Sequence, residues 1–112
     1  MNNRDVQIIN SCNKHYKEML EELSNVPTYE DFINPANKVM NKAIKIDVAQ
    51  IGENLTHLSE ESAKQIDQND IRGIVDIRNI IVHGYAQIKE RALYNTITND
   101  MPRLMEQLNK VK

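Results

Sequence analysis

Apolar residues recur every three or four positions along most of this chain, and little interrupts them. Its 112 residues include only 3 glycines and 3 prolines. Such spacing gathers apolar side chains on one face of a helix. Lys, Glu, Gln and Leu, all good helix formers, are frequent. No alternating β-branched run with a hairpin turn appears, so strands are not supported. The expected fold is all-α, a small antiparallel bundle of four to five helices. A chain of this length forms one domain, residues 1–112, with enough buried surface to fold unaided.

The breakers place the elements. A first helix is expected from about Asp5 to Leu23, with Val6, Ile9, Tyr16, Met19, Leu20 and Leu23 on its inner face. Ser24-Asn25-Val26-Pro27 ends it. Thr28 and Asp31 have capping-box spacing. Asn34-Pro35 offers a second start. A long helix should then run from 35 to about 58 on Val39, Met40, Ala43, Ile51, Leu55 and Leu58. The polar stretch Ser59 to Asn69 reads as a loop. A fourth helix is expected from Asp70 to about His83, with Gly84 as a C-terminal glycine cap. The last should span about Ile88 to Lys110, with Pro102 kinking it near Thr98–Asn99.

Composition narrows the function. The formal net charge is −2 and the pI is near 5.9. A sequence-blind, histone-like nucleic-acid binder needs a global basic field, so any nucleic-acid contact must be local. The single cysteine, Cys12, excludes an internal disulfide and a Cys-rich metal site. It reads as a small buried hydrophobe. No apolar run approaches the roughly 18 residues of a membrane span. The residues after Met1 lead into no signal-peptide core. A cytoplasmic protein with no membrane partner is expected. His15, His57 and His83 fall on different elements, so neither a metal nor a cofactor is expected.

One segment carries most of the chemical information. Asp70 to Tyr85 reads D-I-R-G-I-V-D-I-R-N-I-I-V-H-G-Y. At about 100° per residue, Arg72, Asp76, Asn79 and His83 form one polar stripe. Ile74, Ile77 and Ile81 form an apolar stripe opposite, and Ile71, Val75 and Val82 a second. A helix apolar over most of its circumference is buried on more than one side. In so small a bundle, that suggests a homodimer. Arg78 stands between the apolar faces, where an unpaired guanidinium is costly. It must snorkel, pair with an acid, or line a cleft that binds an anion. His83 at the helix end either interacts with the C-terminal dipole or serves as a titratable base. Tyr85 follows, as a packing residue with a wet hydroxyl or as a functional group. Five residues of helix leave Arg78 and His83 about 140° apart. They converge only through distortion or a second chain.

At these residues the sequence resembles a known family. Arg78-Asn79-Ile80-Ile81-Val82-His83-Gly84-Tyr85 resembles the R-x4-H-x-Y signature of HEPN-domain proteins. It is most similar to HepT-type toxins encoded beside a minimal nucleotidyltransferase antitoxin. Ile51-Gly52-Glu53 is similar to the family's I-G-E stretch. Asn99-Asp100-Met101-Pro102 is similar to its N-D-[LI]-P stretch. Many relatives carry Trp ahead of the motif helix, where this chain has Asn69-Asp70-Ile71. The resemblance implies a homodimer whose two motif helices face each other, and metal-independent RNA cleavage. It implies Arg78 and His83 as catalytic residues, with Asn79 and Tyr85 positioning the substrate. It also implies that the antitoxin neutralises the toxin by adenylylating Tyr85.

The chemistry is consistent. RNA self-cleavage needs a base near neutrality for the 2′-hydroxyl, and a cation on the phosphate. The competing reading is a non-catalytic helical subunit that binds a nucleotide or a nucleotidyltransferase partner through the same residues.

Overall fold

The computed structural model describes residues 2–84 and 87–112, and the described residues contain helices and no strand. Helix α1 runs Asn3–Leu23 and starts where the Asn2 side chain accepts from the Asp5 amide. The Thr28 hydroxyl caps α2, Tyr29–Ile33, by accepting from the Asp31 amide at 3.1 Å. Asn34-Pro35 starts a single 3-10 turn, Pro35–Asn37, and α3 follows as Lys38–Leu55. The segment expected as a loop holds a short helix α4, Glu60–Ala63, capped by Ser59. Asp67 caps α5, Gln68–His83. The final helix is α6, Glu90–Asn95, then a π-helical turn, Thr96–Asp100, then α7, Met101–Val111. The π turn stands where Pro102 was expected to kink the chain, because proline cannot donate to the preceding turn.

Side-chain pairs define the topology. His15 meets Asp47, Ser11 meets Asn54 and Asp5 meets Ser59, so α1 and α3 run antiparallel. Asp67 and Asp70 meet Gln107 and Arg103, so α5 and α7 are also antiparallel. Asn13 pairs with Asn109 and Asn10 with Lys112, closing α7 onto α1. The four long elements thus form an up-down-up-down bundle, as the sequence led us to expect.

The core is Ile9, Cys12 and Met19 from α1, Phe32 from α2, and Ile44, Val48, Ile51 and Leu55 from α3, closed by Ile74, Leu93, Ile97, Met101, Leu104 and Leu108. The inner face of α3 differs from the expected one at its start. Val39 is 74% exposed, and Ile44 and Val48 take the core positions. Val39 lies about 140° round the α3 wheel from Ile44, so the face that buries Ile44, Val48, Ile51 and Leu55 turns Val39 outward. Leu20 of α1 is exposed as well. Cys12 is fully buried, and that burial pushes its thiol up to about 11.

Polar clamps fix the ends. The buried Asp5 carboxylate accepts from the Ser59 amide and from the hydroxyls of Ser59 and Ser62, tying α4 to the start of α1. Lys45 pairs with Glu90 at 2.6 Å, joining α3 to α6. Tyr94 of α6 packs against Tyr29 and Phe32, with ring centroids 5.3 Å away in both cases.

Candidate functional site

Helix α5 supplies Arg78, Asn79 and His83, and three contacts set where it lies. At its start, Arg103 grips Asp70 with two bonds, Nε to Oδ2 at 3.0 Å and Nη2 to Oδ1 at 2.6 Å. Gln107 donates to the same carboxylate at 2.8 Å. The Arg103 guanidinium therefore holds Asp70 below the ordinary carboxylate range, against the opposing effect of burial. Along its middle, Ile74 is buried, and Ile71, Val75, Ile77 and Ile81 pack against the core. Beneath Arg78 lies Gly52 of α3, where a Cβ would stand 2.5 Å from the Arg78 Cβ. Only a residue without a side chain admits so close an approach.

Arg78 resolves to an ion pair. Its Nη2 lies 2.6 Å from Glu53 Oε2, and its Nη1 donates to Asn79 Oδ1 at 2.8 Å. The other Glu53 oxygen lies 3.1 Å from His57 Nε2. The Arg78 Nε is shielded from solvent and has no hydrogen-bond partner. The side chain is 23% exposed, so its outer edge still faces water. Such a fork suits a phosphate, whose oxygens can accept from both terminal nitrogens.

The polar stripe lies where the wheel placed it: Arg72, Asp76, Asn79 and His83 are all exposed. α5 stays helical through His83, and the Gly84 amide bonds to the Ile80 carbonyl at 2.8 Å. Gly84 does end the helix, but with φ −135°, outside the left-handed region expected of a glycine cap. No distortion brings His83 round to Arg78, so about 140° still separates them within one chain. Tyr85 lies outside the described residues.

The second apolar stripe is only partly covered, with Val82 51% exposed, and Ile80 on another face is 39% exposed. Ile80 lines a groove of about 290 Å³ with Ile77, Ile81, Ile88 and Leu93, and Lys89 and Gln87 also border it.

Sequence reasoning attached no role to Glu53 or His57. The signal was present, since Glu53 directly follows Gly52 and His57 stands four residues on, on one helix face. A second cluster was not legible at all. His15, Glu18 and Asp47 offer donor atoms within 4.8 Å of one another. Burial, reinforced by hydrogen bonding and charge from Asp47, pushes the adjacent Glu22 carboxyl up to about 8.

Fold and site together define an all-α bundle with a paired arginine and an exposed histidine on one helix. A family model described as ribonuclease HepT-like matches residues 13–111, and the chain belongs to that family. Comparison with curated proteins and with solved structures returned no significant match. No helix among the described residues is long and apolar enough to cross a membrane.

Proposed function

We propose that this chain is the toxin of a toxin–antitoxin pair and cleaves RNA without a metal, in a site completed by two copies of α5. The observation that carries the reading is the setting of Arg78. Glu53 and Asn79 hold its guanidinium on the same helix that ends in an exposed histidine. Membership of the ribonuclease HepT-like family supports the RNA substrate.

In this reading, neutral His83 takes the proton from the 2′-hydroxyl of the RNA. The 2′-oxygen attacks phosphorus and the bond from phosphorus to the 5′-oxygen breaks. The departing oxygen takes a proton from the protonated histidine of the second copy. The products are a 2′,3′-cyclic phosphate and a 5′-hydroxyl. Arg78 donates to the non-bridging oxygens as charge builds on them. Its fork turns from Glu53 to do so, and the half-exposed Glu53 carboxylate remains solvated. Asn79 positions the fork, and Tyr85 contacts the substrate. No cofactor takes part.

A second copy is the proposed occupant of the groove lined by Ile80. It supplies the histidine that one chain holds on the wrong side of its own arginine. Control runs through a minimal nucleotidyltransferase antitoxin that adenylylates Tyr85.

One observation favours a second reading. Glu53 already pairs with Arg78, as it would in a non-catalytic subunit that binds a nucleotide or a nucleotidyltransferase partner. A nuclease assay separates the two. His83→Ala should lower cleavage by roughly 10²–10⁴-fold with helix content unchanged. Arg78→Lys keeps the charge, loses the fork, and should also be strongly impaired. Cleavage should persist in EDTA and leave cyclic-phosphate ends. Activity that vanished with chelator and returned with Mg²⁺ would refute the metal-free mechanism, and no cleavage by the unmodified chain would leave the binding reading.

A further inference from the structure

α1 and α3 gather a set of ligand-type side chains that plays no part in the proposed RNA chemistry. His15, Glu18 and Glu22 stand three and four residues apart, on one face of α1. Asp47 of α3 faces them and is 4% exposed. His15 Nδ1 lies 3.1 Å from Asp47 Oδ1 and 3.7 Å from Glu18 Oε2. An ion with bonds of about 2.1 Å holds neighbouring ligands about 3.0–3.4 Å apart, in octahedral or tetrahedral geometry. The observed separations reach that range with shifts of a few tenths of an ångström, about one rotamer adjustment of the half-exposed Glu18.

A second observation comes from Glu22. Its Oε1 is shielded from solvent and has no hydrogen-bond partner. Its carboxyl lies against Asp47, with Glu18 and Glu21 adding negative charge. Glu18, Glu22 and Asp47 therefore crowd three carboxyl groups around one imidazole. Partly desolvated carboxylates in contact need a positive charge or a donor between them. A divalent cation supplies that charge and an acceptor site for the orphaned oxygen.

We propose that His15, Glu18, Glu22 and Asp47 bind one divalent first-row cation, which fastens α1 to α3. One imidazole nitrogen with carboxylate oxygens suits Zn²⁺, and Mn²⁺ less tightly. The site is separate from Arg78. Asp47 precedes Glu53 by six residues on α3, a rise of about 9 Å. The ion braces the helix pair that carries Glu53, and takes no part in cleavage.

The test is calorimetric titration of the metal-stripped full chain with Zn²⁺, followed by thermal melts. One Zn²⁺ should bind per chain and raise Tm, and EDTA should reverse the rise. Losing an outer-shell partner of a metal ligand weakens binding roughly 10–100-fold, so His15→Ala or Asp47→Asn should weaken it at least that much. Asp47 is buried, so Glu18→Gln provides a surface variant that leaves the fold intact and should lose affinity in the same direction. Mn²⁺ should broaden the ring signals of His15 and spare those of His57 and His83. The proposal is overturned if Zn²⁺ shows no saturable binding up to about 1 mM, a concentration at which even a weak site of about −4 kcal/mol half-fills. It is equally overturned if binding survives both Glu18→Gln and Asp47→Asn, or if Mn²⁺ broadens His57 or His83 instead.

Discussion

Gly52 of α3 and Arg78 of α5 touch so closely that a methyl group on Gly52 would stand 2.5 Å from the Arg78 Cβ and 3.2 Å from the Ile74 carbonyl oxygen. The two helices meet there at the closest approach that a missing side chain permits. The same contact brings Glu53 within reach of the guanidinium.

Gly52→Ala should therefore push α5 off α3. Overpacking of this kind costs about 1–3 kcal/mol. In a domain near this size each kcal/mol lowers Tm by about 4–8 °C. Gly73 provides the control, because a Cβ there meets nothing within 4 Å. Gly73→Ala should stabilise the chain by about 0.5–1 kcal/mol, since alanine loses less backbone freedom in a helix. Paired thermal melts should show opposite signs for two identical substitutions. If both variants melted alike, the close approach would not be what makes Gly52 necessary.

The proposed dimer is best probed at Ile80. Ile81 packs against its own core, so a charge there also threatens folding. Ile80 lines the groove and is 39% exposed within one chain, so a carboxylate there costs the monomer less. In a dimer interface it would be buried without a partner, which costs several kcal/mol. Ile80→Asp should sediment as a 13.0 kDa monomer with unchanged helix content, while the native chain sediments as a dimer. A native chain that stayed monomeric at micromolar concentration would remove the second histidine from the mechanism.

Acid should loosen the clamp at the start of α5. Asp70 is held below its ordinary value chiefly by the hydrogen bond from Arg103. Burial pushes Asp5 upward, but the bonds from Ser59 and Ser62 outweigh it and leave that carboxyl lowered too. A folded-state value below the unfolded one means stability that is present above about pH 3.9, and lost as the pH falls through the folded value. Asp70→Asn should lower stability at neutral pH and flatten its fall below about pH 4, where the native carboxylate would otherwise take up its proton. Denaturant melts from pH 7 to pH 2 measure both effects.

Tyr85→Phe bears on control. In the proposed control, AMP on this tyrosine brings a phosphodiester charge and a nucleoside to the RNA site. A tethered group acts at an effective concentration on the order of millimolar. The Phe variant should keep substantial nuclease activity, yet escape neutralisation by antitoxin and ATP. If it were still silenced fully, with no mass added to the chain, neutralisation would run through binding.

The sequence alone carried the helices other than α4 and most of their ends, because caps, prolines and apolar spacing are local properties. Thr28, Asp31 and Pro102 act where the sequence placed them. It also put Arg72, Asp76, Asn79 and His83 on one exposed stripe, since α5 is regular from end to end. Where apolar residues lay on more than one face, the reading slipped. Val39 and Ile44 stand about 140° apart on α3, and core packing took the Ile44 face, leaving Val39 outward. The partners were beyond it altogether. Glu53 is 25 residues from Arg78, and Asp47 is 32 from His15. Which acid meets which cation depends on helix crossing and register, and those follow from how the whole core packs. Gly52 makes the point at one position. A glycine inside a helix is a weakness by propensity, and only the neighbouring helix turns it into a requirement.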